Sequence, residues 1–213
     1  MVTAVAAFQF SMAQITRNVG EFSSIKVYDK ITVTLYHSGE NRVESNNSDV
    51  EIVNKNGDLK IRMIPTKIMQ GDQTSVKVFY DEICDLQASQ GSTISADADL
   101  ECSSLSLTSN EGSKINLMIS TGDLVAKLNS GGMISVSGKA ETQEIIVNSG
   151  GKFSGKDVDS LTAKVTSNAG GNAQVYAEEN ITATTRAGGV IDVYGNPTER
   201  EVKNIIGGKI NFK

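Results

Sequence analysis

Residues 129–136 read Asn-Ser-Gly-Gly-Met-Ile-Ser-Val, and residues 148–155 repeat the pattern as Asn-Ser-Gly-Gly-Lys-Phe-Ser-Gly. A pair of small residues, usually Gly-Gly, recurs in this way along the C-terminal two thirds of the chain. Its first member falls at Gly91, Gly112, Gly131, Gly150, Gly170, Gly188 and Gly207. A period of about twenty residues indicates one supersecondary unit stacked on copies of itself. This repeat therefore indicates a repetitive architecture.

The residues after each glycine pair alternate between apolar and polar side chains, which is the period of a half-buried strand. The apolar positions lie three and five residues after the first glycine, and a polar column stands between them. That column, expected to face solvent, comprises Ser95, Asn116, Ser135, Ser154, Gln174, Asp192 and Asn211. Each unit is too short for a strand-helix-strand crossover. The pattern predicts an all-β fold, a parallel β-helix or β-solenoid with about seven coils of 18–21 residues.

The corners between the faces of such a solenoid need backbone with positive φ, where glycine has no steric penalty. Two positions before the first glycine stand Asn110, Asn129, Asn148 and Asn168. Stacked asparagine amides hydrogen-bond from coil to coil, so we expect a ladder. Because Ser89, Arg186 and Ile205 interrupt the column, the ladder should be confined to the middle coils. We interpret these residues as structural rather than catalytic.

Composition agrees with a thin β-core. The 213 residues include 20 glycines and two prolines, no tryptophan, and only 5% aromatic residues. Twenty basic and 25 acidic residues give a net charge of −5, and the basic residues form no stripe. Nucleic acid is therefore not an expected partner.

Residues 1–13 are apolar and end in Ser-Met-Ala, which resembles the small-x-small cleavage site of a secretory signal segment without its positively charged start. The expectation is an exported protein whose mature part, 14–213, is one domain in the periplasm, at the cell surface or outside the cell. The apolar run is too short to span a bilayer, and no transmembrane segment follows it.

Residues 21–80 are also β-rich, but without the regular coils expected over 81–213. Strands are predicted at 25–27, 31–35 and 76–80, with an Asn-Gly-type hairpin between 50–52 and 59–63 and an exposed loop at 65–75. This region is either a separate small sheet or a less regular start of the solenoid. In both cases it would cover the first coil. Cys84 and Cys102, about one coil apart, are either a disulfide or two buried thiols.

Several of these features together resemble a known family. They are Phe22-Ser-Ser-Ile-Lys-Val27, the strand and turn of 33–39, Gly57-Asp-Leu-Lys-Ile61, and the serial Ser/Asn-x-Gly-Gly coils. In this order, over residues 21–213, they resemble the putative auto-transporter adhesin, head GIN domain family. The resemblance implies a β-helix-like, exported envelope or surface protein of Gram-negative bacteria, common among Bacteroidetes. It supplies no catalytic residues.

No catalytic or metal-binding pattern stands out. Carbohydrate-active β-helices need acidic residues clustered on one face, but the outward column holds a single carboxylate, Asp192. The one histidine, His37, has no evident catalytic partner. The glycine pairs form no phosphate-binding loop, because no helix follows them. We expect no catalytic residues, no cofactor and no metal, and therefore a protein that is not an enzyme.

Three functional hypotheses remain. The first is a surface binding module for an extracellular glycan or an envelope protein, with a site on the outward column and its nearest aromatic residues. Its candidate residues are Asn116, Ser135, Ser154, Gln174, Asp192, Tyr176 and Tyr194. The second is a structural envelope protein that forms homo-oligomers through its solenoid ends. The third is a degenerate carbohydrate-active β-helix.

Overall fold

The computed structural model describes residues 15–213, so the predicted signal segment, 1–13, lies outside the described residues. The chain is almost wholly β, with one short 3₁₀ turn at Pro65–Lys67. The strands are β1 (Ile15–Asn18), β2 (Ser24–Val27), β3 (Thr32–His37), β4 (Arg42–Ser45), β5 (Val50–Lys55), β6 (Asp58–Met63), β7 (Ser75–Tyr80), β8 (Asp85–Ala88), β9 (Thr93–Ala96), β10 (Leu100–Asn110), β11 (Lys114–Asn129), β12 (Met133–Val147), β13 (Lys152–Asp159), β14 (Thr162–Asn168), β15 (Asn172–Tyr176), β16 (Asn180–Arg186), β17 (Val190–Tyr194), β18 (Glu199–Ile205) and β19 (Lys209–Phe212).

The strands stack into two long parallel sheets, which confirms a β-solenoid of about seven turns. Sheet A contains, in spatial order, β7, β3, β9, β11, β12, β13, β15, β17 and β19. Sheet B contains β6, β2, β8, β10, β11, β12, β14, β16 and β18. Strands β11 and β12 bend and contribute to both sheets. Each coil lies in register on the previous one, as where Ile134 pairs with Ile115.

The core has the predicted inward columns. Ile115, Ile134 and Ile191 are buried three residues after a first glycine, and Val175 is buried at the fifth position. In the coil of Phe153, whose ring is fully buried, the partner position is Gly155. A Cβ on Gly155 would lie 2.5 Å from that ring, so the glycine makes room for the large side chain. The large side chain at one inward position is thus compensated by the small one at the other, so that their combined volume stays suited to the core.

The two glycines of each corner have different roles. Ser130 and Gly131 both take left-handed backbone, with φ of 50° and 75°, which turns the chain sharply. The second glycine, Gly132, faces the neighbouring coil, where a Cβ would stand 2.1 Å from the backbone oxygen of Ser109. The first glycine therefore provides a conformation and the second a close approach. Every repeat corner from Gln90–Gly91 to Ile206–Gly207 has the same pair of left-handed residues.

Replacing Gly132 with alanine should destabilise the protein by about 1–3 kcal/mol, because the added methyl group forces two coils apart. Gly131→Asn should cost less than about 1 kcal/mol, since asparagine tolerates left-handed backbone and a Cβ there meets nothing within 4 Å. Urea unfolding of both variants gives the comparison. Equal losses would contradict the separate roles of the two glycines.

The predicted asparagine ladder is confirmed. The side-chain amide of Asn129 donates to Oδ1 of Asn110 at 2.8 Å, Asn148 donates to Asn129 at 2.9 Å, and Asn168 donates to Asn148 at 2.8 Å. The next residue in the column is Arg186, and Oδ1 of Asn168 is left buried without a hydrogen-bond partner. The ladder is thus confined to the middle coils.

The Asn148→Ala substitution should lower the free energy of unfolding by about 1–3 kcal/mol, because it breaks two rungs and leaves polar atoms of both neighbours unpaired. Asn168→Ala is the matched control, since it removes a single rung at the end of the ladder and should cost roughly half as much. Thermal unfolding of the two variants measures the difference. A larger loss for Asn168→Ala would show that the ladder does not act as a chain of equivalent bonds.

The N-terminal region is the start of the same solenoid rather than a separate sheet. Strands β6 and β7 stack in parallel on the outer side of β2 and β3, and β8 and β9 stack on the inner side. Strand β5 then pairs antiparallel with β6 through the predicted hairpin, whose turn residues Asn56 and Gly57 have φ of 55° and 85°. Strand β4 pairs antiparallel with β7, and β1 with β4. These antiparallel strands cap the end of the stack.

The predicted exposed loop at 65–75 is exposed over most of its length, but the segment is also anchored on Asp29. The buried carboxylate of Asp29 accepts hydrogen bonds from the backbone N–H groups of Met63 and Met69, both at 3.1 Å. Its backbone oxygen accepts from the N–H of Gly71 at 3.1 Å. Gly71 and Thr74 are buried, while residues 66–70 are exposed. A buried carboxylate needs such donors, so it draws the loop inward.

The two cysteines form a disulfide and are not free thiols. Cys84 and Cys102 are bonded, with their Cα atoms 5.8 Å apart. The bond joins the segment before β8 to the N-terminal part of β10. It thereby links the irregular start of the solenoid to its regular coils.

Candidate binding surfaces

The predicted outward column forms a continuous strip on sheet A. Asn116 pairs in register with Ser135, Ser135 with Ser154, Ser154 with Gln174, and Gln174 with Asp192. Asn116 and Ser135 are exposed, and the other three are half-buried. We call these five residues the polar strip. Adjacent members are separated by the strand spacing, about 4.8 Å.

Most of the polar strip has unused hydrogen-bonding groups. Within residues 15–213, the side chains of Asn116, Ser135, Ser154 and Gln174 make no hydrogen bond. Asp192 differs, because its Oδ1 accepts from Asn211 at 2.8 Å and lies 3.7 Å from Nζ of Lys213. The strip therefore offers four neutral side chains and, at its C-terminal end, one carboxylate that is already partnered.

Tyr176 and Tyr194 stand beside this end of the polar strip. They pair in register on β15 and β17, two residues after Gln174 and Asp192, and so project from the same face of sheet A. Both side chains are half-buried. The structure thus brings all seven candidate residues onto one surface, with two aromatic rings at one end.

A second surface, which the sequence pattern did not indicate, lies on the outer face of sheet B near the capped end. Two cavities of about 270 Å³ and 540 Å³ share Tyr28, Lys60 and Arg62. Together they form a trough, which we call the Tyr28 groove. Its further lining includes Lys26, Lys55 and Val53 in one cavity and Pro65 and Ile68 in the other.

Two of the cations in the Tyr28 groove form ion pairs with carboxylates. Lys26 donates a hydrogen bond to Asp58 at 3.0 Å, which holds the pKa of this carboxyl below its ordinary value and that of Lys26 above its own. Arg62 is hydrogen-bonded to Glu51, and this contact raises the pKa of the guanidinium. Lys26, Asp58 and Arg62 are therefore charged at neutral pH.

The side chain of His37 contacts the backbone of Asp81 and the ring of Tyr80. Its Nε2 lies 3.1 Å from the backbone oxygen of Asp81, and its ring is tilted against Tyr80 with 5.5 Å between centroids. Within residues 15–213, no group of three or more His, Cys, Asp or Glu side chains could hold a metal ion. The absence of catalytic residues stays a prediction.

Comparison with known proteins identifies the family of this chain. A family model described as putative auto-transporter adhesin, head GIN domain, matches residues 21–197. The chain belongs to this family. The match ends before β18, so the final coil lies outside it. A comparison with curated proteins found no match.

Solved structures from Bacteroidetes share the fold of this head GIN domain. A crystal structure named as a putative adhesin from Bacteroides fragilis has a TM-score of 0.86 and 17% identity, covering 97% of this chain and 100% of its own. One named as a putative lipid binding protein from Parabacteroides distasonis has a TM-score of 0.71 and 18% identity, covering 94% and 96%. A putative adhesin from Parabacteroides merdae has a TM-score of 0.70 and 18% identity, covering 94% and 95%. At these identities the likeness shows the fold alone.

The family and most of these neighbours are named as adhesins, a class of exported or surface proteins. Among residues 15–213, no helix has the length and apolar character needed to cross a membrane.

Proposed function

We propose that this chain is an exported, non-enzymatic surface protein that binds an extended glycan or an envelope protein through the polar strip. The observation that carries the proposal is the run of four adjacent side chains that make no hydrogen bond within the described residues and are held in register on one parallel sheet. A rigid row of donors and acceptors repeating every 4.8 Å or so matches a ligand that is itself extended. Because the strands are fixed by stacking, the backbone that carries the row is already ordered before a ligand binds.

Export is supported by the Cys84–Cys102 disulfide, because such bonds persist in oxidising compartments outside the cytosol. The adhesin names of the family and of its structural neighbours agree with a place in the envelope or at the cell surface. Tyr176 and Tyr194 supply the aromatic surface on which a sugar ring or an apolar side chain of a protein partner would pack.

The test is binding of the purified protein to a broad glycan array and to envelope extracts, compared with the variants Gln174→Ala and Tyr194→Ala. We expect each to weaken selective binding by about tenfold, which corresponds to the loss of about 1.4 kcal/mol. Gln174 is the cleaner position, because its side chain has no hydrogen bond to lose within the described residues, whereas Asp192→Ala also breaks the contact with Asn211.

Thr166→Ala, a small change on the opposite sheet, serves as the matched control and should bind as the unaltered protein does. Binding that survives in both strip variants would place the site elsewhere. Equal loss in the control would indicate a general loss of structure.

A second candidate function, assembly through the solenoid end, is favoured by the last coil. Within the described residues, β18 pairs with β16 alone and β19 with β17 alone, so each has an unpaired outer edge. Val202 and Phe212 continue the inward columns of Ala183 and Val193, yet they are 50% and 37% exposed. Uncovered strand edges with apolar side chains favour pairing with another chain.

The charges of β18 suit a second copy of this chain. If two copies of β18 pair antiparallel with Val202 opposite itself, Glu201 of each copy lies opposite Lys203 of the other. Opposite charges across a strand pair stabilise it, and like charges would not. A two-fold symmetric contact is thus self-complementary at the centre of this edge.

Val202→Lys should therefore abolish concentration-dependent association, because it adds two opposing charges at the symmetry axis. Met118→Lys is the matched control, since Met118 is equally exposed, at 52%, but lies on the side of the stack. Sedimentation equilibrium over a wide concentration range measures both. A protein that stays monomeric at all concentrations, or a dimer that persists in Val202→Lys, would refute assembly through this end.

A further inference from the structure

The Tyr28 groove owes its shape to strands that are distant in the sequence. Its floor is the outer face of β6 and β2, where Lys60 pairs in register with Lys26. The β5–β6 hairpin forms one wall and carries Lys55 and Val53. The segment anchored on Asp29 forms the rim at the other end. The two joined cavities give an elongated trough, which fits consecutive units of a chain rather than a single small ion.

The groove has four cations against the three carboxylates of Asp29, Asp58 and Glu51, on a protein whose net charge is −5. Of its four cations, Lys26 and Arg62 are paired with Asp58 and Glu51. Within residues 15–213, neither Lys55 nor Lys60 forms an ion pair with a carboxylate. Asp58 lies opposite Lys55 in the strand register, but its carboxylate is already hydrogen-bonded to Lys26, so two lysines without an ion pair are left to hold a bound anion.

The groove also offers an aromatic and apolar surface. The half-buried Tyr28 lines both cavities, and Nζ of Lys60 stands 5.7 Å from the centroid of its ring. Val53 on the hairpin wall and Ile68 on the rim are 43% and 54% exposed. A ligand that fits must therefore have both negative charge and a flat, weakly polar face. The carboxylates and ring faces of an acidic sugar chain combine these two properties.

We propose that the Tyr28 groove binds an acidic carbohydrate chain, with sugar rings against Tyr28 and carboxylates held by Lys55 and Lys60. The inference rests on the proposed function as a surface binding module, but it assigns the acidic ligand to a face of sheet B that is separate from the polar strip.

The test is calorimetric titration of the full chain with three soluble probes. Tetragalacturonate has both rings and carboxylates, its methyl ester has the rings alone, and inorganic polyphosphate has charge alone. We expect tetragalacturonate to bind with at least tenfold higher affinity than either its methyl ester or polyphosphate. Binding should also weaken as salt rises from about 0.05 M to about 0.5 M, because the lysines are exposed and screened.

Site variants locate the binding. The double variant Lys55→Gln with Lys60→Gln should lose at least tenfold in affinity, and Tyr28→Leu should lose affinity while it keeps the charge. The matched control is Lys114→Gln with Lys127→Gln, which removes the same charge from exposed lysines that have no ion pair in the described residues. Lys127 lies in the same outward column of sheet B as Lys60, three strands beyond Lys26.

The proposal is overturned if no tetragalacturonate binds, if polyphosphate binds as well, or if the control pair loses as much affinity as the groove pair. Vesicles of phosphatidylglycerol are a separate arm. Binding to them that exceeds binding to the sugar and depends on Lys55 and Lys60 would identify a lipid surface instead and refute the carbohydrate. The strip variant Gln174→Ala should leave tetragalacturonate binding unchanged, so failure here and failure of the proposed function are distinguishable.

Discussion

The direct stacking of each coil on the one before it is the constraint on which the other features of this molecule depend. Parallel strands in register share their backbone hydrogen bonds with the coils above and below, so every coil must have the same outline. A wider turn at one corner would move that coil away from the adjacent coil and break their backbone hydrogen bonds. The repeated pair of left-handed residues keeps the corner sharp, and Gly132 shows why the next position must be small, since a backbone oxygen occupies the place of its Cβ. Where serine stands there instead, as at Ser113, its hydroxyl donates to the backbone oxygen of Ala88 at 2.7 Å, in the neighbouring coil.

Because stacking copies a local pattern, much of the regular part could be predicted from the sequence. The burial of Ile134, the rungs between Asn129 and Asn148, and the alignment of Ser135 with Ser154 all follow from one period. In such a fold a residue's neighbours in space are the residues one period away. The contacts between coils can therefore be predicted from the repeat length. The polar strip could be predicted as a surface for the same reason. Its binding role could not, because exposed polar side chains are also what an ordinary solvated face requires.

The N-terminal part could not be derived in the same way. There β6 and β7 return to the outer side of β2 and β3 before the chain crosses to β8, so sequence neighbours are not stacking neighbours. Lys26 and Asp58, which are 32 residues apart, form an ion pair that no periodicity predicts. The sequence indicated hairpins and strands but not their order in the stack. The Tyr28 groove depends on that order, and so does the anchoring of the 65–75 segment on Asp29.

The regular and irregular parts also differ in the surfaces that they can offer. In a regular coil array, like residues stack at about 4.8 Å, and a column of identical charges would repel along its whole length. The polar strip is accordingly neutral from Asn116 to Gln174, and its one carboxylate is neutralised at the end. Cations can be gathered only where the neighbours vary, so that within residues 15–213 Lys26 forms an ion pair with Asp58 while Lys60 forms none. A concave surface likewise needs a wall that departs from the repeat, which the β5–β6 hairpin provides. Regularity therefore builds a neutral row of hydrogen-bonding groups in register, and the interruption of that regularity builds a charged groove on the same molecule.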